Sequence, residues 1–287
     1  MASKTFTSSI VAAELAALGY FKTRKYLRTF PNAYPRFLYK YIRSEIPDEY
    51  LSDYLTESNF WLSSPAAFND PFDTSAQVLN EGNASQKRKR WMEISINNAP
   101  ELTKIQRELE VSRLMSGKSN TAENITKIFR KNAEKVGLTC FNETPRNILM
   151  WSHYANKHKG IVLQFEIAKN TETMLHAVKV NYLNEYPTLN FAQEMSGQLA
   201  KIMLRKSKDW EYEKEWRLLV INAASTYIKF KPEALTGIIF GCRTDEKTRA
   251  RIEKFLSNRQ DKNLPIPKLY QAKQHQSQFK IVIERVK

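Results

Sequence analysis

Glycine and cysteine are scarce in this chain, which has eight glycines and two cysteines among 287 residues. A glycine-rich phosphate cradle is therefore not expected, and neither a P-loop nor a G-x-G-x-x-G pattern occurs. The H-E-x-x-H pattern of metalloproteases and the G-x-S-x-G pattern of serine hydrolases are absent as well. No local motif indicates any of these enzyme classes.

The two cysteines, Cys140 and Cys242, cannot build a disulfide framework, and no C-x-x-C pair suggests a zinc site. Both lie in apolar, strand-like contexts, so we expect reduced residues in the core of a cytoplasmic protein. No apolar run approaches the roughly 20 residues of a membrane-spanning helix. We therefore expect neither a membrane partner nor a metal cofactor.

Positive charge is abundant, since 45 lysines and arginines face 30 acidic residues and give a net charge of +15. A surplus of this size favours polyanion partners, either nucleic acid or an acidic protein that neutralises it. The alternative is a solvated basic surface without a partner. The clusters lie at Lys22–Arg28, Lys87–Arg90 and Lys201–Lys208.

Periodicity divides the chain into a predicted N-terminal helical arm, residues 1–34, and one α+β domain, residues 35–287. Long, polar segments that are poor in strand formers predict a helical insert at about 84–137. Most remaining segments read as short strands, which predicts a mixed, mostly antiparallel sheet.

The stretch 144–166 predicts a short helix that leads into a buried strand. Thr144 and Pro145 are suited to a helix start, and Gly160 is the expected left-handed stop. This helix would present His153 and Tyr154 to a cleft. The alternative is a core helix that carries no site.

Two acidic segments are candidates for a site. Asp70 and Asp73 lie in a predicted turn, where they are candidate ligands of a metal or a sugar. The alternative, which we prefer, is that they accept hydrogen bonds from the turn amides. Glu211, Glu213 and Glu215 are spaced by two, so in a strand they share one face. That face is either solvent-exposed or compensated by cations and substrate hydroxyls.

Four blocks resemble a bacterial family of unknown function, DUF2971. They are LYKY at 38–41, SSPAAFNDPFD at 63–73, MWSHYANKHKG at 150–160 and WEYEKEWRLL at 210–219. The resemblance covers roughly residues 37–241. It implies a gene of the kind found among bacterial defence and conflict systems.

A weaker resemblance is to ADP-ribosyltransferases, which carry a basic residue, a serine motif and Glu-x-Glu on successive strands. Lys40 corresponds to the basic residue, although the family has arginine there. Ser63-Ser64 corresponds to the serine motif, and Glu213-Lys214-Glu215 corresponds to Glu-x-Glu. The resemblance implies a split sheet and NAD as a substrate.

These roles predict an NAD-dependent ADP-ribosyltransferase, a toxin or anti-phage effector that modifies nucleic acid, with RNA favoured over DNA. An antitoxin or a chaperone-like protein is the expected protein partner. Glutamates stabilise the positive charge that grows at the anomeric carbon, and a cation holds the pyrophosphate. The alternatives are a metal-dependent nuclease toxin built on Asp70, Asp73 and His153, or a non-catalytic nucleic-acid or protein-binding module. The predicted catalytic residues are Glu215, Glu213 and His153, and the predicted NAD-binding residues are Lys40, Tyr39, Ser63, Ser64 and Tyr154.

Overall fold

A computed structural model describes residues 19–29, 34–116, 121–193 and 195–286. Residues 1–18 and 30–33 of the predicted N-terminal arm lie outside these ranges, so only its central helix is described. No helix within the described ranges is long and apolar enough to span a bilayer. The division at residue 34 remains a prediction.

The described residues form nine α-helices and fourteen strands. The helices are α1 (Tyr20–Thr29), α2 (Asp48–Leu55), α3 (Ala84–Asn98), α4 (Lys104–Ser116), α5 (Ala122–Ala133), α6 (Ile148–Tyr154), α7 (Thr171–Met174), α8 (Met195–Met203) and α9 (Glu246–Asp261). The strands are β1 (Phe37–Ile42), β2 (Asn59–Leu62), β3 (Gln77–Leu79), β4 (Gly137–Asn142), β5 (Ile161–Glu166), β6 (Ala177–Lys179), β7 (Asn181–Leu183), β8 (Thr188–Asn190), β9 (Arg205–Ser207), β10 (Glu215–Val220), β11 (Thr226–Lys229), β12 (Leu235–Phe240), β13 (Lys268–Gln274) and β14 (Ile281–Arg285).

The fold is α+β, with eight strands in one sheet in the order β14-β13-β12-β5-β1-β4-β10-β6. Its pairs are antiparallel except for the parallel pair β12 and β13. Three two-stranded sheets, β11-β2, β3-β8 and β7-β9, accompany it. The predicted mixed, mostly antiparallel sheet is thus confirmed.

The main sheet is weakly joined between β1 and β4. Tyr39 and Asn142 are the single registered pair there, whereas β1 is paired with β5 along its whole length. We call this place the sheet joint. The eight-stranded sheet therefore has a five-strand part and a three-strand part on either side of this joint. The split sheet implied by the resemblance to ADP-ribosyltransferases stays a prediction.

The two faces of the sheet carry separate cores. Leu38 and Ile42 of β1 belong to the larger core, together with residues of α2 and α9. Tyr39 and Tyr41 belong to a smaller core beneath α6, where Trp151 is fully buried. The period of two in β1 thus divides this strand between the two cores.

The predicted helical insert is present as α3, α4 and α5. Its buried side chains Trp91, Val111 and Ile125 pack with Phe191, which follows β8. The ring centroids of Trp91 and Phe191 are 4.8 Å apart. The insert therefore shares a core with the rest of the chain.

Helix α6 ends differently from the prediction. It stops at Tyr154, and three non-glycine residues, Asn156, Lys157 and His158, then adopt left-handed φ angles of 46°, 53° and 69°. Gly160 is not in that region. It is required because a Cβ atom there would lie 2.1 Å from the carbonyl oxygen of Ile42.

Candidate functional site

A cavity of about 300 Å³ opens at the sheet joint. Residues from β1, β4, β10, α6 and β9 line it, so segments far apart in sequence meet there. We call it the charged cavity, because it is lined by three buried or half-buried cations and three buried carboxylates. They are Lys40, Lys206, Arg217, Asp73, Glu213 and Glu215.

The two central glutamates reach the cavity from different kinds of structure. Residues 208–213 form a 3₁₀ helix, Lys214 is left-handed with φ 46°, and β10 begins only at Glu215. The prediction that Glu211, Glu213 and Glu215 share one strand face is therefore wrong, because the left-handed residue breaks the alternation. Glu211 is exposed, while Glu213 and Glu215 are each only 3% exposed.

Lys206 holds the carboxylates together. Its Nζ atom lies 2.7 Å from Oε2 of Glu213, 3.3 Å from Oε2 of Glu215 and 3.6 Å from Oδ2 of Asp73. Helix α8 ends at Met203, and Lys206 lies in strand β9. Because one ammonium faces three carboxylates, it compensates the repulsion between them.

Arg217 completes the charge network from β10. Its guanidinium, which is fully buried, donates to both oxygens of Asp73 at 2.9 and 2.6 Å and to both oxygens of Glu215 at 2.8 and 3.0 Å. It also donates to the carbonyl oxygen of Met203. Paired, bidentate bonds of this kind fix both carboxylates in place.

Helix α6 braces the acidic segment. Asn147 caps the helix by accepting bonds from the amides of Leu149 and Met150, and its Nδ2 donates to the carbonyl oxygen of Tyr212. The Tyr154 hydroxyl donates to Oε1 of Glu213 at 2.7 Å. Asn142 donates to the Glu213 carbonyl oxygen, so the backbone and the side chain of Glu213 are both held.

Lys40 differs from the other two cations, because within the described ranges no carboxylate oxygen lies within 4 Å of its Nζ atom. Nζ donates to Oγ1 of Thr139 at 2.9 Å and to the carbonyl oxygen of Cys140 at 3.1 Å, and so bridges the sheet joint. It also lies 5.5 Å from the ring centroid of Phe141. An ammonium has three donors, so one remains for a ligand.

The charges perturb one another in opposite directions. Burial raises the pKa of Glu215, but Arg217 and Lys206 outweigh burial and hold it at about 2. Burial raises the pKa of Glu213, and the nearby Glu215 raises it further against the effect of Lys206. Burial lowers the pKa of Lys40. Divergent pKa values in neighbouring carboxylates are typical of acid–base sites.

Five of the predicted site residues meet at the cavity: Lys40, Ser63, Tyr154, Glu213 and Glu215. Ser63 joins β4 through paired backbone bonds with Leu138, and its hydroxyl has no partner among the described residues. One cation, one serine and the two glutamates of the predicted site therefore lie around one cavity, and their roles in catalysis stay a prediction.

Three predicted site residues do not line the cavity. Tyr39 lies on another groove, because it is adjacent to Lys40 in a strand and points to the opposite face. Ser64 bonds to the Glu134 carbonyl oxygen. His153 is exposed, because a helix turns by about 100° per residue and Tyr154 takes the inward position.

Sequence reasoning missed Lys206 and Arg217 and misjudged Asp73. Arg217 follows Glu215 by two in a strand of apolar residues, and this spacing could have revealed a buried ion pair. Asp70 accepts a bond from the amide of Phe72, as predicted for a turn. For Asp73 that prediction is wrong, because both its oxygens bind Arg217.

A larger groove of about 820 Å³ adjoins the cavity and shares Asn69 and Lys206 with it. We call it the aromatic groove, because four aromatic residues line it. The ring centroids of two of them lie 5.9 Å apart, and the Lys206 ammonium lies over one of these rings. The four are Phe72, Tyr186, Trp210 and Tyr212.

No group of three or more His, Cys, Asp or Glu residues within the described ranges is arranged to hold a metal ion. The carboxylates of Asp73 and Glu215 face Arg217 and Lys206 instead. Cations therefore occupy the positions at which these oxygens would bind a metal. Both cysteines are free thiols, as predicted.

In the comparison with protein families, one family matches part of the chain. Neither the curated proteins nor the solved structures include a match to this chain. The resemblance to ADP-ribosyltransferases therefore stays a prediction. The matching segment contains Tyr154, Lys206, Glu213, Glu215 and Arg217, and hence much of the charged cavity. From Met150 to Leu218 the chain resembles the family described as a protein of unknown function, DUF2971.

Proposed function

We propose that this protein is an NAD-consuming ADP-ribosyltransferase whose reaction takes place in the charged cavity. The single observation that carries the proposal is the meeting of Lys40, Ser63, Tyr154, Glu213 and Glu215 around one hollow at the sheet joint. These residues come from four separate segments of the chain.

The chemistry of the cavity suits cleavage of a glycosidic bond. In the proposed step the bond between the ribose anomeric carbon and the nicotinamide nitrogen breaks, and its electron pair leaves with nicotinamide. Positive charge grows on the ribose, and fixed carboxylates stabilise it most when they are buried and held rigidly. Arg217 and Lys206 hold Glu215 in this way.

Glu213 is suited to a more active role than Glu215. One of its oxygens accepts from the Tyr154 hydroxyl, a bond that a ribose hydroxyl can replace. Burial raises the pKa of Glu213. A carboxylate with a raised pKa is a stronger base than Glu215, so Glu213 is better suited to accept the acceptor's proton. We assign transfer of that proton to Glu213, and charge stabilisation to Glu215.

The two hollows match the two halves of a dinucleotide. The charged cavity takes the nicotinamide riboside, with the free donor of Lys40 toward the pyrophosphate. The aromatic groove takes the adenosine, since its rings offer faces for a base. Their volumes, about 300 and 820 Å³, fall within the ordinary range of ligand sites.

The biological role follows from the family resemblance and the charge. We propose a toxin or anti-phage effector that acts in the bacterial cytoplasm, where NAD and nucleic acids are present. The net charge of +15 supports a nucleic-acid acceptor, with RNA favoured, and an acidic antitoxin as a protein partner.

One observation favours a second candidate, a non-catalytic binding module. Every oxygen of Asp73 and Glu215 already has a cationic partner in Arg217, so the network can serve to hold β10 against residues 68–73. Such a module would bind its partner equally well after Glu213 is changed to glutamine.

The decisive experiment measures nicotinamide release from NAD by purified protein, with and without RNA, together with transfer of labelled ADP-ribose. We expect release by the wild type and a loss of at least about 100-fold in Glu213→Gln and Glu215→Gln. Glu211→Gln is the matched control, because Glu211 lies in the same segment and is exposed. This control should keep its activity.

Two results would decide against the proposal. If neither the wild type nor Glu213→Gln releases nicotinamide under any of these conditions, the transferase is excluded in favour of the binding module. If RNA is cleaved without NAD and a chelator abolishes the cleavage, the nuclease alternative replaces it.

A further inference from the structure

A third groove, of about 750 Å³, lies close to the charged cavity, and one pair of residues in neighbouring strands separates the two. Tyr39 lines this groove and Asn142 lines the cavity, yet the two residues are directly paired across the sheet joint. Paired residues of antiparallel strands have Cα atoms only about 5 Å apart. The groove therefore lies next to the proposed reaction site. We call it the basic groove; its charged and aromatic lining includes Arg36, Arg146, Lys169, Lys268, Tyr39 and Tyr270.

The basic groove has more free positive than free negative charge. Arg36 is neutralised by Glu166, at 2.8 Å. Three exposed cations, Arg146, Lys169 and Lys268, form no ion pair with any described residue. Glu233 is the carboxylate of the lining that remains outside an ion pair. Three cations against one carboxylate make this groove attractive to phosphates.

Aromatic side chains line the same groove as these cations. Tyr270 is half-buried and packs against Gly237, where a Cβ atom would lie 2.9 Å from its ring. Phe37 also lines the groove, and the Arg36 guanidinium lies 4.5 Å from its ring centroid. Exposed cations interleaved with rings are the arrangement that binds a flexible phosphate chain and stacks its bases.

We propose that the basic groove binds a single-stranded nucleic acid, and that this strand is the acceptor presented to the charged cavity. The binding itself stands on the groove; the role of the strand as acceptor rests on the proposed transferase function. A single strand fits better than a duplex, because the rings need unstacked bases. Neither proposed use of the cavity assigns a role to this groove.

The test is binding of a fluorescent 12-nucleotide uridine RNA, and of the DNA of the same length, measured by anisotropy without NAD. The test variant is Arg146→Gln, Lys169→Gln and Lys268→Gln combined, in the full chain. We expect at least a tenfold weaker affinity at low salt. The slope of log affinity against log salt should fall by about 2, since single strands give about 0.7 per phosphate contact.

The matched control removes three exposed lysines elsewhere, Lys131, Lys247 and Lys254, and so changes the net charge equally. It should bind within about twofold of the wild type. A second variant, Tyr270→Leu, tests stacking and should weaken binding about tenfold with an unchanged salt slope. Preference for RNA over DNA would identify RNA as the source of the strand.

The inference is overturned if the groove variant binds like the wild type, or if the control loses as much affinity. It is also overturned if the wild type binds neither nucleic acid. Because the assay contains no NAD, its failure is separable from that of the transferase. Nicotinamide release that depends on Glu213 would survive a negative binding result, and nucleic-acid binding would survive a negative release result.

Discussion

Two lysines approach the charged cavity, and their surroundings give them different tasks. Lys206 faces three carboxylates, so burial is compensated and the pKa of Lys206 is raised despite the lowering effect of burial. Lys40 has no carboxylate within 4 Å among the described residues, and burial lowers its pKa. A buried cation that bonds only neutral oxygens costs stability, and under the proposed function the remaining donor of Lys40 binds the pyrophosphate.

This difference predicts that the same substitution has a large effect on stability at Lys206 and a small effect at Lys40. Lys206→Met should lower the free energy of unfolding by about 3–5 kcal/mol, because buried Glu213 loses its cation and Asp73 and Glu215 keep only Arg217. Lys40→Met should change it by less than about 1 kcal/mol, because the replacement is apolar and no carboxylate is left unpaired. Urea denaturation at pH 7 measures both. Equal losses in the two variants would contradict the assignment.

Glu215 predicts a specific dependence of stability on pH. Its folded pKa of about 2 lies below the ordinary 4.5, so its contribution is present above pH 4.5 and is lost as pH falls toward 2. The shift corresponds to about 3 kcal/mol at 1.36 kcal/mol per pKa unit. The stability difference between the wild type and Glu215→Gln should therefore shrink below pH 4.5.

Glu213 supplies the opposite sign for the same measurement. The pKa of Glu213 is raised in the folded protein, so protonation of this residue favours folding. The free energy of unfolding of the wild type should therefore rise relative to that of Glu213→Gln as pH falls. Denaturation curves at pH 7, 5, 4 and 3 should show that the stability differences between the wild type and the two variants change in opposite directions. A difference for Glu215→Gln that grows on acidification would contradict the ion network.

At the scale of elements, the connection from α6 to β5 stores strain. Three consecutive non-glycine residues have left-handed φ angles, and each costs roughly 1–2 kcal/mol relative to a right-handed conformation. Tertiary bonds hold the turn: Asn156 donates to Ser44 and Glu45, and the Arg243 amide donates to the His158 carbonyl oxygen. The turn thereby positions α6 and Tyr154 over the cavity.

Lys157 is the position at which this strain can be removed. Its side chain is exposed, so Lys157→Gly should raise the free energy of unfolding by roughly 0.5–1 kcal/mol, since glycine adopts left-handed φ without strain. Lys159→Gly, two residues on and outside the left-handed run, should lower it by a similar amount. Thermal unfolding of both variants provides the measurement. Stabilisation by both would show that the left-handed run carries no strain.

Elements with a clear period were predictable. The sequence pattern predicts a strand at 37–42 and a helix at 48–55, and the structure gives these bounds to β1 and α2. The acidic segment was not, because a single left-handed residue at Lys214 separates the 3₁₀ helix from β10. Nothing in the alternation of Glu213 and Glu215 reveals that break, since Lys214 is a residue type that seldom adopts such a φ.

At the scale of the molecule, the presence of the helical insert could be predicted from the sequence, but its attachment to the rest of the chain could not. Composition was enough for the helical insert, because residues 84–137 are polar and poor in strand formers. Its attachment was not, because the contact between Trp91 and Phe191 joins residues 100 positions apart. Such long-range contacts depend on the packing of whole layers, which local periodicity does not describe.

The sequence by itself determined the class of fold, the positive charge and the residue types of the site, because these follow from composition and short-range pattern. Only the tertiary structure decided which of those residues meet. It placed Lys40, Ser63, Tyr154, Glu213 and Glu215 at one joint, turned Tyr39 and His153 away, and added Lys206 and Arg217. The physical reason is electrostatic: buried carboxylates require cations within a few ångströms, and strand pairing and helix packing determine which cations are within reach.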